Sequence, residues 1–449
     1  VREKNPVARE GPIVVIGAGV AGLAAARTAA AAGAPLLVLE REREPGGLCR
    51  SIQAAGYTFD MGGHFLHLAD PRMRERVLAV GNVPWREMDR DARVWMRGRL
   101  TPYPFQVHLA GHAPAFVARC LRDLARERIR EATAGPRRAA PRDFAGWLLR
   151  HFGGAMCRAF FFPYNRKMWR VPLERLEAGW ARWAVPVPTF EQALAGARGE
   201  RVEGIGYNAR FFYPRRGGMG AFAAALAAPL GEQLRLGTEA AAIDLRAREV
   251  VTASGERIPY GAVVAAIPLP ALARMCAGLP AAVRGAAARL RWVKVLAIGL
   301  GVRRPKAAPG HWIYVPESRE SFFRVGFFSN ASAAAAPEGC ASVFVERSLL
   351  PEEPLRPARE VAAAVRGLRR MGILGPRSRV EVVRPVLIDP AYVLFDRARE
   401  GAVATIRRAL ERRGVFPAGR YGAWDYFGME KAMADGIRAA RAALGFHEA

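Results

Sequence analysis

Short, wholly apolar runs separated by glycines and alanine-rich stretches open the chain. Ile13 to Ile16 is apolar throughout. Gly17, Gly19 and Gly22 follow, then an alanine-rich stretch that stops near Gly33, then a second apolar run, Leu36 to Leu39, closed by Glu40. A continuous apolar run bounded by turn signals predicts a strand buried on both faces, and two such runs joined by a helical stretch predict a parallel βαβ unit. From about 82 to 205 the pattern turns helical, with arginine and alanine faces, a Pro-bounded TPYPFQVHL and an aromatic cluster FFFPYNRKMWRVPL. EATAGPRRAAPRD reads as a loop between helices. FFYPRRGGMGAFAAALAAPL predicts strand, glycine turn and helix. Short strands around Leu234–Leu236, Ala241–Leu245 and Val250–Thr252, and the apolar GAVVAAIP ended by Pro268, are expected to return to the first sheet. RWVKVLAIGLGV, HWIYVPE, FFRVGFFSN, CASVFVERSL and VEVVRPVLI are successive β-rich runs that predict a separate sheet. A last glycine-punctuated turn and helix lie in GRYGAWDYFGMEKAMADGIRAARAAL, and the chain has no internal repeat.

At 449 residues and 51% hydrophobic, the chain is long for a single core, so two or three domains are expected. Lys and Arg outnumber Asp and Glu by 68 to 41, a formal charge of +27. The arginines are spread along the whole chain among alanines, and no nucleic-acid motif accompanies them. The charge therefore points to compositional bias and an anionic small molecule, not to nucleic acid. Cys49, Cys120, Cys157, Cys276 and Cys340 are scattered, odd in number and without a C-x-x-C pair. They read as reduced thiols with neither a disulfide frame nor a zinc site. VREKNPVAREGP holds no apolar segment of the secretory kind, and no uncharged apolar run reaches the ~18 residues of a membrane span. A cytoplasmic protein that does not enter the membrane is expected, with its oligomeric state open.

The opening unit carries chemistry. Strand, G-x-G-x-x-G, helix, strand and acid in that order describe a dinucleotide site. Gly17 allows the tight turn, Gly19 lets a pyrophosphate approach the backbone, and the helix N-terminus, carrying roughly +0.5 of a charge, faces the phosphates. Glu40 is placed to accept ribose hydroxyls. An NAD domain would proceed to another helix, but here Gly46 and Gly47 follow the acid within a few residues. Two further backbone approaches suggest a longer cofactor, FAD. YTFDMGGHFLHL, residues 57–68, then sets Gly62 and Gly63 against His64, with His67 one turn on. That suits backbone pressed against a flat ligand with an imidazole beside it. Two histidines without a third ligand make an incomplete metal site, so no metal is expected.

GAGVAGLAAA, FDMGGHFLH, PYPFQ, PYNRKMW, FYPRRGGMG, WIYVPE, FFRVGFFSN and GRYGAWDY occur in this order between Gly11 and about Ala442. Together they resemble UDP-galactopyranose mutases of the eukaryotic type, within the wider superfamily of FAD proteins that includes amine oxidases and protoporphyrinogen oxidase. The first motif belongs to many flavoproteins, whereas PYPFQ, PYN-x-K-x-W and FSN together are more specific. The resemblance implies an α/β fold with a discontinuous Rossmann-like FAD-binding domain (8–81, 207–270 and 415–449), an inserted helical substrate domain (82–206) and a separate, mostly antiparallel β-sheet substrate domain (271–414).

The activity implied is interconversion of the pyranose and furanose forms of a UDP-sugar, with no net redox, through attack of reduced FAD N5 on the anomeric carbon. By the same resemblance His64 lies beside the isoalloxazine, in a loop that moves with flavin redox state. Arg182 and Arg324 match pyrophosphate-contacting positions, where a guanidinium binds phosphate bidentately. Tyr103, Gln106, Asn165, Asn208 and Tyr314 match the nucleotide pocket, an amide being able to satisfy both edges of uracil. Tyr392 and Tyr426 match phosphate-contacting tyrosines. Gly17, Gly19, Gly22, Glu40, Gly46, Gly47, Gly218, Met219 and Arg420, with His64, are the cofactor residues. After Tyr426 the chain is shorter than the family pattern and reads FGMEKAM. The sugar contacts fall on loops without a match, which leaves a related NDP-sugar open. An external reductant such as NADPH fits the requirement for reduced flavin. The competing reading is an oxidase or dehydrogenase of the amine-oxidase type, which a long apolar tunnel would favour.

Overall fold

The computed structural model describes residues 11–134, 139–200, 202 and 209–446. Ile13–Ile16 forms the centre of a five-stranded, all-parallel sheet whose order is Val415–Pro417, Ala262–Ala265, Ile13–Ile16, Leu36–Leu39, Leu234–Arg235. Every residue of Ile13–Ile16 and Ala262–Ala265 is buried, as apolar runs covered on both faces must be. The alanine-rich helix Val20–Ala31 packs on one face of this sheet and against the last helix, Met429–Ala443. Three chain segments far apart in sequence thus build one sheet.

Two expectations of strand placement change. Ala240–Asp244 and Glu249–Thr252 do not return to the first sheet but form a four-stranded sheet of their own with Arg257–Pro259, which the pattern did not mark, and Cys276–Ala277. Hydrophobic alternation marks the first two as strands but carries no information about which edge they join. The region from 82 onward is helical only after it has supplied three strands, Trp85–Asp89, Ala92–Met96 and Arg99–Pro102. In ARVWM the buried residues are Ala92, Val94 and Met96, a period of two. Beyond them Pro114–Ala134 packs on Phe144–Met156, which breaks at Gly153 and passes through a wide turn, Cys157–Phe161, into Phe162–Trp169.

The second large sheet has seven strands in the order Arg379–Val393, Trp292–Arg303, Cys340–Leu349, Arg324–Phe327, Trp312–Tyr314, Ala92–Met96, Arg99–Pro102. It is antiparallel apart from the pairing of Trp312–Tyr314 with Ala92–Met96. A small hairpin, Ser51–Ala54 with Tyr57–Asp60, lies on it. Its seat is made by glycine: a Cβ on Gly299 would come 2.9 Å from the Phe59 ring, and one on Gly301 would come 2.8 Å from the Tyr57 ring. Ser342 Oγ donates to the Thr58 carbonyl at 2.6 Å in the same seam. The hairpin runs directly into Gly62–His64, so this seating sets where the histidine loop lies against the second sheet.

Candidate active site

The glycine turn leaves an open cradle. Gly17 N donates to Leu39 O at 2.8 Å, and a Cβ on Gly22 would run into the Gly17 carbonyl. Around Gly19, by contrast, no atom lies within 4 Å of where a Cβ would sit. Gly46 N donates to Ala18 O at 2.7 Å, so the second glycine pair closes the rim of the same cradle. The helix Val20–Ala31 begins there with no side-chain cap and no acid in its first turn. Its leading N–H groups are free for a phosphate. Glu40 is buried at the end of its strand and accepts from Ala18 N at 2.7 Å and Glu42 N at 2.9 Å. The carboxylate thereby shapes the turn.

Asp60, which stands in FDMGGHFLH but is not among the candidate residues, ties this region together. It is 5% exposed and accepts from Ser51 Oγ (2.5 Å), Tyr213 OH (2.8 Å) and Met219 N (3.0 Å). Burial pushes its carboxyl up to about 6 against those three hydrogen bonds. Gly218 passes with its α-carbon against Asp60 and Ser51, at the start of the helix Gly218–Ala227.

The histidine loop meets a buried ion pair. Gly63 N donates to Glu346 Oε1 at 2.9 Å. Arg324 grips the same carboxylate with two bonds, Nε to Oε2 at 2.6 Å and Nη2 to Oε1 at 2.7 Å. His64 lies beside this pair. Burial, joined by the cations Arg420 and Arg324, lowers its imidazole to about 4, with Glu346 opposing. The ring is therefore neutral at pH 7, and its buried Nδ1 has no partner in the protein. His67 turns elsewhere, its Nδ1 2.9 Å from Arg210 O, so the two histidines serve different contacts.

Around Arg324 stands a cage of tyrosines. Tyr103 and Tyr314 have ring centroids 4.6 Å apart, and Tyr164 meets Tyr314 edge-on at 5.4 Å. Tyr392 and Tyr426 stack at 5.8 Å, with the Arg420 guanidinium 4.6 Å from the Tyr426 ring centre and 5.3 Å from that of Tyr392. Burial pushes the hydroxyls of Tyr164, Tyr314 and Tyr392 above the ordinary phenol range, while Arg324's charge pulls them back. Arg420 donates to Phe427 O at 2.8 Å, and its buried Nε has no partner. The result is an aromatic pocket with two guanidiniums and phenol hydroxyls, bordered by the histidine loop. It can take a ligand that joins flat rings to an anionic group.

The remaining candidates are placed differently. Gln106 is buried, with Nε2 donating to Pro186 O at 2.6 Å and Oε1 unpartnered, so one edge of its amide is available. Both ends of the Asn165 amide are used internally, Nδ2 by Phe161 O at 2.8 Å and Oδ1 by Trp169 Nε1 at 3.1 Å. Its neighbour Tyr164, absent from the sequence-based candidates, is the residue of PYN that joins the cage. Arg182 is exposed on the short helix Ala181–Ala184, where its charge acts on His151; adjacent Trp183 packs on Tyr426 at 5.6 Å. Asn208 lies outside the described residues. Among the described residues no group of three or more His, Cys, Asp or Glu side chains is placed to hold a metal, and no helix is long and apolar enough to cross a membrane.

The glycine cradle and the tyrosine cage are now placed, and residues 20–444 match the family model of flavin-containing amine oxidoreductases. The chain belongs to the flavin-containing amine oxidoreductase family. A crystal structure of reduced UDP-galactopyranose mutase is similar to this chain with a TM-score of 0.90 and 28% identity, over 97% of this chain and 94% of that one. Putrescine oxidase bound to putrescine shares the fold at a TM-score of 0.66 and 16% identity, over 97% and 99% of the two chains. Curated relatives match only locally. A zeta-carotene-forming phytoene desaturase of Myxococcus xanthus is 50% identical over 50 residues, 11% of this chain and 10% of its own length. An inactive all-trans-retinol 13,14-reductase of Danio rerio is 41% identical over 54 residues, 12% of this chain and 9% of its own. This chain thus spans about a tenth of those two relatives. The α/β architecture, one parallel sheet assembled from separated segments beside a mostly antiparallel one, is that of the family.

Proposed function

We propose that this protein is a flavin-dependent mutase that interconverts pyranose and furanose forms of a UDP-sugar, UDP-galactose or a related NDP-sugar, with FAD in the glycine cradle. The observation that carries the reading is the cage: tyrosine faces and hydroxyls around Arg324 and Arg420, set against the Gly62–His64 loop. An amine substrate would gain nothing from the partly buried Arg324 guanidinium within the cage, whereas a diphosphate needs such a group. The similarity to the reduced mutase supports the same reading.

The protein's residues fit FAD. Open space at Gly19, the uncapped helix start and the Gly46–Gly47 rim would take the pyrophosphate, and Glu40 the ribose. Gly218, Met219, His64 and Arg420 would line the flavin end. Bound and reduced, FAD would supply a nucleophile, N5, for the anomeric carbon. The chain's own part is to hold the diphosphate. Arg324 and the hydroxyls of Tyr392 and Tyr426 would balance the charge that grows on it as the glycosidic C–O bond breaks. Gln106, with a free acceptor, and the Tyr103–Tyr314 pair would orient the uracil. A neutral His64 can donate or accept one hydrogen bond without placing another cation beside the flavin. An external reductant such as NADPH would keep the flavin reduced in use.

The family's oxidoreductase chemistry is the second reading. Dithionite-reduced protein incubated with UDP-galactofuranose should yield UDP-galactopyranose, and the oxidised protein should yield none. Absence of conversion, or consumption of one acceptor molecule per sugar turned over, would sink the mutase reading.

A further inference from the structure

Glu346 stands mid-strand in Cys340–Leu349, 3% exposed, within a run that is otherwise mostly apolar. It faces Arg324 across the antiparallel ladder, the two being direct register partners. Three N–H donors converge on its two oxygens: Arg324 Nε at 2.6 Å, Arg324 Nη2 at 2.7 Å and Gly63 N at 2.9 Å. One edge of the guanidinium is thereby committed, and Nη1 is left for a ligand. The pair is electrically neutral, so an incoming diphosphate meets Arg324 with its charge already largely balanced, and meets a carboxylate behind it. In a buried setting such opposition is weakly screened.

We propose that Glu346 is a positioning residue that sets the affinity for the diphosphate. It holds Arg324 in one orientation, ties that orientation to the Gly63 amide of the histidine loop, and weakens the hold on UDP so that the nucleotide can leave and return during turnover. The inference rests on the reading of the cage as a UDP-sugar pocket.

Glu346→Gln keeps the side chain's size and removes its charge. UDP should then bind about tenfold more tightly, while uridine, which lacks the diphosphate, should bind as to wild type. KM for the sugar nucleotide should fall together with kcat, because the leaving nucleotide is held too well. Calorimetric titration of the flavin-loaded protein with each ligand reads the first two outcomes. Wild type that binds uridine and UDP equally, or neither, would defeat the functional reading itself. Wild type that prefers UDP, with a Gln variant whose UDP affinity is unchanged or reduced, would overturn this inference alone. If Glu346→Gln does not retain FAD, Glu346→Asp is the second variant. It keeps the charge but is too short to reach Arg324 and Gly63 together. UDP affinity lowered by more than about threefold with uridine binding unchanged supports the positioning role; UDP affinity as in wild type, or equal loss of UDP and uridine binding, would overturn it.

Discussion

Gly19→Ala isolates the cradle from the fold. Gly19 has φ −70° and ψ 172°, which alanine adopts freely, and the added methyl would meet no protein atom within 4 Å. At this N-cap, alanine is poorer than glycine by a fraction of a kcal/mol, and the lost unfolded-state freedom returns about 0.4–1 kcal/mol. The melting temperature of the flavin-free protein should therefore hardly move. The cost appears when FAD binds, because the methyl takes the space through which the pyrophosphate reaches the helix N–H groups. One hydrogen bond to a charged group is worth about 1.5–3 kcal/mol, so FAD affinity should drop about 10- to 150-fold at ~1.4 kcal/mol per decade. Gly22→Ala is the contrasting control. Its methyl would strike the Gly17 carbonyl, so it should lower the flavin-free melting temperature as well. The assay is FAD fluorescence quenching on deflavinated protein, with thermal denaturation of the same samples. A Gly19→Ala variant that binds FAD within twofold of wild type would refute the cradle.

Three further outcomes are expected. Asp60, raised to about 6 by burial, binds its proton more tightly in the folded state, so its contribution to stability is present below its unfolded value near 4 and is lost as pH rises through 6; relative to Asp60→Asn, wild type should lose about 2 kcal/mol between pH 4 and 7 in urea titrations, and a flat difference would contradict the assignment. His64 acts in the opposite sense in the same window: lowered to about 4, it should cost stability as pH falls from about 6.5, so the acid limb of a melting profile should be shallower in His64→Gln than in wild type, and identical limbs would show that the ring is solvated. Arg324→Ala should weaken UDP binding about 10- to 150-fold and, by stranding the buried Glu346 charge, cost about 3–5 kcal/mol of stability; Arg324→Lys should recover part of each, and normal UDP binding by the alanine variant would show that Arg324 has been misassigned.

What the sequence made legible follows a physical divide. The glycine turn and Glu40 rest on local geometry, strand then turn then helix, which short-range pattern reports directly. Tyr103, Tyr314, Tyr392 and Tyr426 came from motifs, and the fold brings them to one pocket. Glu346 and Asp60 were missed because their roles depend on register. Arg324 and Glu346 are 22 residues apart and meet only through strand pairing, and Asp60 meets Met219 across 159 residues. A charged residue inside the apolar run CASVFVERSL was the available signal. Tyr164 and Asn165 differ by one step, about 100° around a helix, and only the packed helix tells which faces the cage. Arg182 sits on a four-residue helix whose placement no periodicity encodes.

The hairpin seated on Gly299 and Gly301 has a consequence for exchanging parts between relatives. Tyr57 and Phe59 belong to the hairpin that leads into the histidine loop, yet the hollows that receive them are cut into Trp292–Arg303 of the seven-stranded sheet. The two halves are keyed like a tenon and its mortise. A chimera that imports a foreign seven-stranded sheet must import residues 51–60 with it, or its Gly62–His64 loop will be aligned to a surface that is no longer there.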